Sequence, residues 1–409
     1  MAETRLSNGL QVLTERIPGV RSAAVGVWTR QGAAHEDPEL MGASHLLEHL
    51  VFKGTRHRTA REIAMTLEGL GGALDAYTSR EHTSFQARVL DEHLPVALEV
   101  LADLVQNPLL RDQDLALERE VVLEEIATVE DTPDDLVFDL HGAHLWESHP
   151  YGHAILGTRE TVAALPGEAL RELHHRRYRG RNVVVAAAGN VEHRELVNRV
   201  GALFGELPGG EASPTLPEPE GGERGEVEIH RDSAQSHLVL GGTLPGHSDP
   251  RRYPLVLLSA ALGGGMSSRL FQTIREELAL AYSVFTFQSF YTRGGIFGVY
   301  LGTRPSAVER AGEAVKGELE RVAREGLEAE ELEQTKRQIK GQIMLSLEST
   351  AARLYRLAGF AVHNEPFMTL DELLGKLDAV TPGAIREAAG EFLDPERLLL
   401  LRLGPGEKG

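Results

Sequence analysis

The chain states the same local plan twice. Near its middle it reads "LPGEALRELHHRRYRGRNVVVAAAG", ending at Gly189, and near its end "TPGAIREAAGEFLDPERLLLLRLG", ending at Gly404. Each segment joins a Pro-Gly helix start to an amphipathic helix, a polar turn and an apolar strand. Earlier in each half, strand-like runs ("AAVGVWTRQG" and "SHLVLGGTLP") precede a long helical stretch. A plan repeated at a period of roughly 200 residues points to a duplicated unit rather than two unrelated domains. Between the copies lies "ELPGGEASPTLPEPEGGERGE", Glu206 to Glu226, rich in Pro, Gly and Glu and without apolar periodicity. It reads as an extended, solvated linker. The expected division is residues 1–208, a linker at 209–225, and a homologous domain at 226–409.

Within each unit, alternating strands such as "HTSFQARVL" and "GIFGVYLGT" sit beside helices such as Leu94 to Val105 and Ala307 to Glu325. Several strands follow one another instead of alternating strictly with helices. The expected class is therefore α+β, each domain a mostly antiparallel sheet with helices packed on one face. With 409 residues, each half is long enough to bury a core without disulfides or a structural metal. There is no cysteine. Disulfides, iron–sulfur clusters and thiolate-bound metals are thus excluded, and any tightly held transition metal must use His, Asp and Glu. A formal charge of −19 argues against a general nucleic-acid binder and favours neutral or basic partners. No apolar run approaches the roughly 20 residues needed to span a bilayer, and the opening segment mixes charges of both signs. The expectation is a soluble cytoplasmic protein that contacts neither membrane nor nucleic acid.

The sharpest chemical signal is "SHLLEHLVFKGT", Ser44 to Thr55. On a helix, His45, Glu48 and His49 fall within an arc of roughly 100°, flanked by Leu46, Leu47, Leu50 and Val51. Two imidazoles one turn apart can chelate a divalent ion, and a glutamate on the same face can take a proton from water there. The alternative is a surface helix with hydrogen-bonded histidines. Apolar surroundings favour the metal reading, because a polar trio set among leucines is costly unless paired or metal-bound.

A second helix offers a further ligand. "DLALEREVVLEEIATVE" places Glu118 within about 20° of Glu125, with Leu115, Leu117, Val121, Val122 and Val129 within about 80° of Glu125. Glu120, Glu124 and Glu130 lie on the opposite side. Two carboxylates therefore occupy the middle of the expected apolar stripe. A divalent cation or a buried arginine would offset that cost. The wheel does not rank Glu118 against Glu125. The other histidines, His141, His144, His149, His153, His174 and His175, lie on helices or turns without matching carboxylates and are expected to be structural or exposed.

The order of the motif, with glutamate directly before the second histidine, is the inverted HxxEH pattern. It stands in "GASHLLEHLVFKGT" and is followed in order by "GGALDAYTSREHTSF", "EREVVLEEI", "HPYGHAILGT" and "GGGMSSRLFQTIREELALAYSV". Taken together, these segments resemble the pitrilysin-type zinc peptidases, in the short-chain branch similar to mitochondrial processing peptidase and its bacterial relatives. The resemblance covers essentially the whole chain. It implies a half-clamshell of two homologous domains, zinc held by His45, His49 and Glu125, Glu48 as general base and Glu118 as supporting carboxylate.

The resemblance also implies that "LDAYTS" is an edge strand to which a peptide substrate adds, with Asp75, Ala76 and Tyr77 beside the scissile bond. Relatives commonly have Asn at the position of Asp75. Arg275 and Tyr282 match an arginine–tyrosine pair that stabilises the oxyanion in this family. They share a helix side only if the helix runs on, and "LALAYSV" has the look of a strand. Ala279 stands where relatives often have glycine.

Relatives enclose substrate in four such domains, so a homodimer, or a heterodimer with a homologous subunit, is implied. The activity implied is zinc-dependent endoproteolysis of extended or unfolded peptides. One rival is a non-catalytic scaffold or chaperone-like subunit of a heteromeric processing peptidase. It is disfavoured by the joint presence of the metal motif and the Arg–Tyr pair. A metal-storage role is disfavoured because one site with a base beside it is not a storage design.

Overall fold

The computed structural model describes residues 1–406. The chain folds into two compact units, each built on one sheet. The first sheet comprises Ala2–Arg5 (β1), Gln11–Arg16 (β2), Ser22–Thr29 (β3), Ala73–Thr78 (β4), Thr83–Leu90 (β5) and Val183–Gly189 (β6), in the order β1-β2-β6-β3-β5-β4. The second comprises Gly225–His230 (β7), Ser236–Leu244 (β8), Ala281–Phe290 (β9), Gly295–Thr303 (β10) and Leu399–Gly404 (β11), in the order β7-β11-β8-β10-β9. Without β1, the two orders are the same. Each has one parallel pair, β2 with β6 and β7 with β11, and is otherwise antiparallel. The duplication read in the sequence is a duplication of topology, and the class is α+β.

The last strand of each repeat explains the arrangement. β6, "VVVAAAG", is buried along its whole length, so both of its faces need cover. One face meets the main helical layer, including Leu94–Gln106 and Ala43–Val51. On the other, Val184, Ala186 and Ala188 pack with Leu13, Ala24 and Trp28 against Leu354, Leu357, Ala358 and Ala361 of the helix Thr350–Val362. In the second unit, the helix Pro133–Leu145 does the same job, setting Val137 against Val239, Tyr300, Leu401 and Leu403.

These two helices depart from a contiguous division at 208 and 226. Residues 128–152 belong with the second sheet and residues 346–367 with the first. Each sheet thus carries a helix on the face opposite its main layer, because its central strands are apolar on both sides. Residues 208–224 contain neither helix nor strand. They are not simply solvated: buried Asn182 donates to the carbonyl of Glu211 and accepts from the amide of Ser213. Among the described residues, no helix is long and apolar enough to cross a membrane.

Candidate metal and catalytic site

The His-Glu-His segment is the helix Ala43–Val51, and its geometry is set at its start. Gly42, the residue before it, has φ +92, and a Cβ there would lie 2.6 Å from the Leu156 carbonyl oxygen. Only glycine suits that turn. The amides of Gly42 and Ser44 donate to the two carboxylate oxygens of buried Glu36, at 2.8 and 2.5 Å. Burial pushes this carboxyl up to about 7, and its hydrogen bonds to Ser44 and Gly42 pull against that rise. Leu46, Leu47, Leu50 and Val51 anchor the inner side of the helix. His45, Glu48 and His49, each only partly buried, are left on the other side.

The carboxylates come from the helix Asp112–Glu130. Its buried residues are Leu115, Glu118, Val122 and Ile126, a spacing that centres the core-facing stripe near Val122 and not on Glu125. Leu117 and Val121 were expected to face the core but are exposed, at 67% and 43%. The stripe is rotated away from them, which buries Glu118 and leaves Glu125 at its margin.

The structure brings His45, His49 and Glu125 together. One oxygen of Glu125 lies 3.7 Å from His45 Nε2 and the other 3.7 Å from His49 Nε2. One donor atom from each residue falls within 4.8 Å of the others, the one such trio of His, Asp or Glu found among the described residues. A tetrahedral ion bound at about 2.0–2.1 Å separates its donors by roughly 3.4 Å, so donors within 4.8 Å of one another close on such an ion by drawing together through about 1.4 Å at most. Burial, with His49 nearby, pushes the His45 imidazole down to about 4, so at neutral pH it is the uncharged form that can ligate.

Glu118 sits behind this trio. Its Oε2 is 3.2 Å from His49 Nδ1. A carboxylate can only accept, so the His49 proton is on Nδ1 and Nε2 keeps its lone pair for a metal. The other oxygen, Oε1, is 2.7 Å from Lys53 Nζ. The cation that compensates this buried carboxylate is therefore a lysine at the end of the His-Glu-His helix, not the arginine entertained from the helical wheel. Burial pushes the Glu48 carboxyl above its ordinary range, and a hydrogen bond from the Thr78 hydroxyl pulls it partly back.

Asp75, Ala76 and Tyr77 lie on β4, the outermost strand of its sheet, paired only with β5 among the described residues. The Tyr77 hydroxyl is 3.0 Å from His82 Nε2, and its ring stands 6.1 Å from that of Tyr355. Lys53, Thr78 and Glu36 were not singled out as site residues from sequence. The first two stand inside motifs that were quoted, but their partners are set by tertiary contact.

The chain is 40% identical over 413 residues to an uncharacterized zinc protease of Streptomyces coelicolor, covering 98% of this chain and 89% of that one. It is 39% identical over 396 residues to the uncharacterized zinc protease YmxG of Bacillus subtilis, covering 96% of each. The model for insulinase (peptidase family M16) matches residues 11–159, and that for the peptidase M16 inactive domain matches 164–339. The chain belongs to peptidase family M16.

Two solved structures share the M16 fold at 22% identity. One is described as a peptidase M16 inactive domain from Pseudomonas fluorescens (TM-score 0.93, covering 99% of this chain and 98% of that one). The other is a protease from Helicobacter pylori (TM-score 0.91, 99% of each). In this M16 chain the candidate metal-binding trio lies in the segment matched by the first model, and the Arg–Tyr pair in that matched by the second.

Arg275 is on a wide π-type turn, Phe271–Glu277, and Tyr282 is at the start of β9, so they do not share a helix. They meet all the same: the Arg275 guanidinium lies 4.7 Å from the centre of the Tyr282 ring and 4.7 Å from that of Phe271. Ala279, between them, has φ +50, a left-handed conformation that glycine adopts without cost. Tyr282 is 79% exposed.

Of the remaining histidines, buried His141 pairs with the Leu399 carbonyl, and His174 with that of Val105. His153 and His149 likewise contact the carbonyls of Ala33 and Pro217.

Proposed function

We propose that this chain is a zinc-dependent endopeptidase acting on extended or unfolded peptides. The observation that carries the reading is the convergence of His45, His49 and Glu125 donor atoms within 4.8 Å, with Glu48 on the same helix as the two histidines. Two histidines and one carboxylate form a donor set suited to catalytic zinc, leaving a fourth position open. Zinc bound there supplies a Lewis acid that polarises the scissile carbonyl and makes water more acidic.

The chain's own groups carry the remaining steps. The free edge of β4, with Asp75, Ala76 and Tyr77, pairs with the backbone of an extended peptide, which tolerates varied side chains. Glu48 takes a proton from the attacking water as its oxygen bonds to the carbonyl carbon. The carboxyl then passes that proton to the leaving nitrogen as the C–N bond breaks. Glu118 holds the His49 ring in the tautomer a ligand needs. Arg275 and Tyr282 donate hydrogen bonds to the oxygen on which charge develops. We place them at the zinc site of a partner chain in a dimer, as the family resemblance implies.

The test is hydrolysis of an unstructured peptide by protein of measured oligomeric state, before and after zinc removal and re-addition. Activity that follows zinc and disappears in Glu125→Ala supports the reading. Cleavage that ignores zinc, or a zinc-loaded protein that cleaves nothing, overturns it.

A further inference from the structure

The general base is tied to the substrate strand by Thr78, whose hydroxyl does more than lower the Glu48 carboxyl. On β4, Leu74 and Ala76 pack against the core that includes Leu46, Leu47 and Leu50. Side chains alternate along a strand, so Thr78 shares that face. Its Oγ1 lies 2.6 Å from Glu48 Oε2 and 3.4 Å from Thr83 Oγ1. A hydroxyl carries one proton, and the shorter contact, to a carboxylate that can only accept, takes it. Glu48 Oε1 has no intramolecular donor among the described residues and stays free to accept a proton from water.

Thr78 is itself braced. It stands opposite Thr83 in the β4–β5 ladder. Thr83 donates its hydroxyl proton to the Gln31 carbonyl at 2.9 Å, and Gln31 Nε2 donates to the Ser44 hydroxyl at 3.1 Å. Ser44 directly precedes His45. The strand pair thus reaches the helix at Ser44, through Gln31, and at Glu48.

We infer that Thr78 is the positioning residue for Glu48, coupling the orientation of the general base to the strand on which the peptide docks. This rests on the peptidase reading above. Two effects of the hydroxyl oppose each other. As a donor it makes Glu48 a weaker base, and as a brace it stops the carboxylate from rotating away from the attacking water. A misplacement of about 1 Å can cost a hundredfold, whereas a modest change in basicity shifts rates far less, so bracing dominates.

The experiment measures kcat, KM, zinc retention against a chelator and thermal unfolding for zinc-loaded wild type and three variants. Thr78→Val, which keeps the shape and β-propensity, is expected to lower kcat by about 10–100-fold, with KM and zinc retention within about twofold of wild type. Thr78→Ala is expected to match it, which covers the case in which valine disturbs folding. Thr78→Ser, which restores the hydroxyl, is expected to return to within about threefold of wild type. An active wild type with kcat unchanged in the valine and alanine variants overturns this inference alone. So does a serine variant no better than valine, or a loss of zinc that parallels the loss of rate. A wild type that binds zinc but cleaves no faster than Glu48→Gln overturns the peptidase reading and this inference with it.

Discussion

Lys53→Met is expected to weaken zinc binding although the lysine is not a ligand. Lys53 Nζ donates to Glu118 at 2.7 Å, and the opposite oxygen of Glu118 accepts from His49. Glu118 is almost fully buried, whereas the lysine side chain is 38% exposed. A hydrogen bond between charged groups contributes about 1.5–3 kcal/mol, and the exposure of the lysine favours the lower end, about 1.5. Removing it leaves the carboxylate free to turn, loosening its grip on the His49 tautomer.

A second effect has the opposite sign, since losing a positive charge helps any cation bind nearby. Over a path on the order of 10 Å in water-like surroundings, that gain is about 0.8 kcal/mol for a divalent ion, and screening at physiological salt cuts it to roughly 0.3 kcal/mol. The net is a loss of about 1 kcal/mol, or roughly fivefold in zinc affinity. Competition against a chelator of known affinity, at physiological salt, reads this without any need for catalysis. Lys53→Arg, which keeps a cation, is expected to stay within about twofold. Affinity in Lys53→Met that is unchanged or higher refutes the argument that Lys53 acts through Glu118.

Three further outcomes are expected. Glu36→Ala orphans the buried amides of Gly42 and Ser44 and should cost about 2–4 kcal/mol in chemical denaturation, with a smaller loss for Glu36→Gln, which keeps one acceptor. Burial holds the His141 imidazole down at about 4, below its ordinary 6.5, so the unfolded chain takes up the proton first. Its stabilising contribution is present above pH 6.5 and is lost as pH falls toward 4, by about 1.4 kcal/mol per pH unit. His141→Gln should remove about 1 kcal/mol of the stability lost in urea unfolding between pH 6.5 and 5.5, where the unfolded imidazole passes from half to almost fully protonated. Finally, co-expressed Glu48→Gln and Arg275→Ala chains, each inactive alone, should recover roughly a quarter of wild-type activity if the Arg–Tyr pair serves the partner's zinc site, and none if it acts within one chain.

The sheets were legible because their signals are local. The Pro-Gly helix starts and apolar runs ending at Gly189 and Gly404 mark β6 and β11, which occupy equivalent places in their sheets. The convergence of the candidate trio was legible in part: one-turn spacing placed His45 with His49, but only the family resemblance ranked Glu125 over Glu118. The helical wheel centred the apolar stripe on the wrong residue because Leu117 and Val121 are apolar yet exposed. Apolar character and burial coincide only where a neighbouring element covers the face. Nothing local to the helices Pro133–Leu145 and Thr350–Val362 says which sheet they cover. Lys53 and Thr78 were opaque for the same reason, since each acquires its partner through contacts between distant parts of the chain, whereas Glu36 bonds the nearby backbone amides of Gly42 and Ser44, which carry no side-chain signal.

The most direct test compares zinc-loaded wild type with Glu48→Gln on one unstructured peptide, with bound metal measured on the same samples. The expected result is one zinc per chain in both and a rate at least about a hundredfold lower in the variant, because the ligands remain while the proton acceptor is gone. Equal rates, or a metal content far from one per chain, would contradict the assignment of this helix pair as a catalytic metal site.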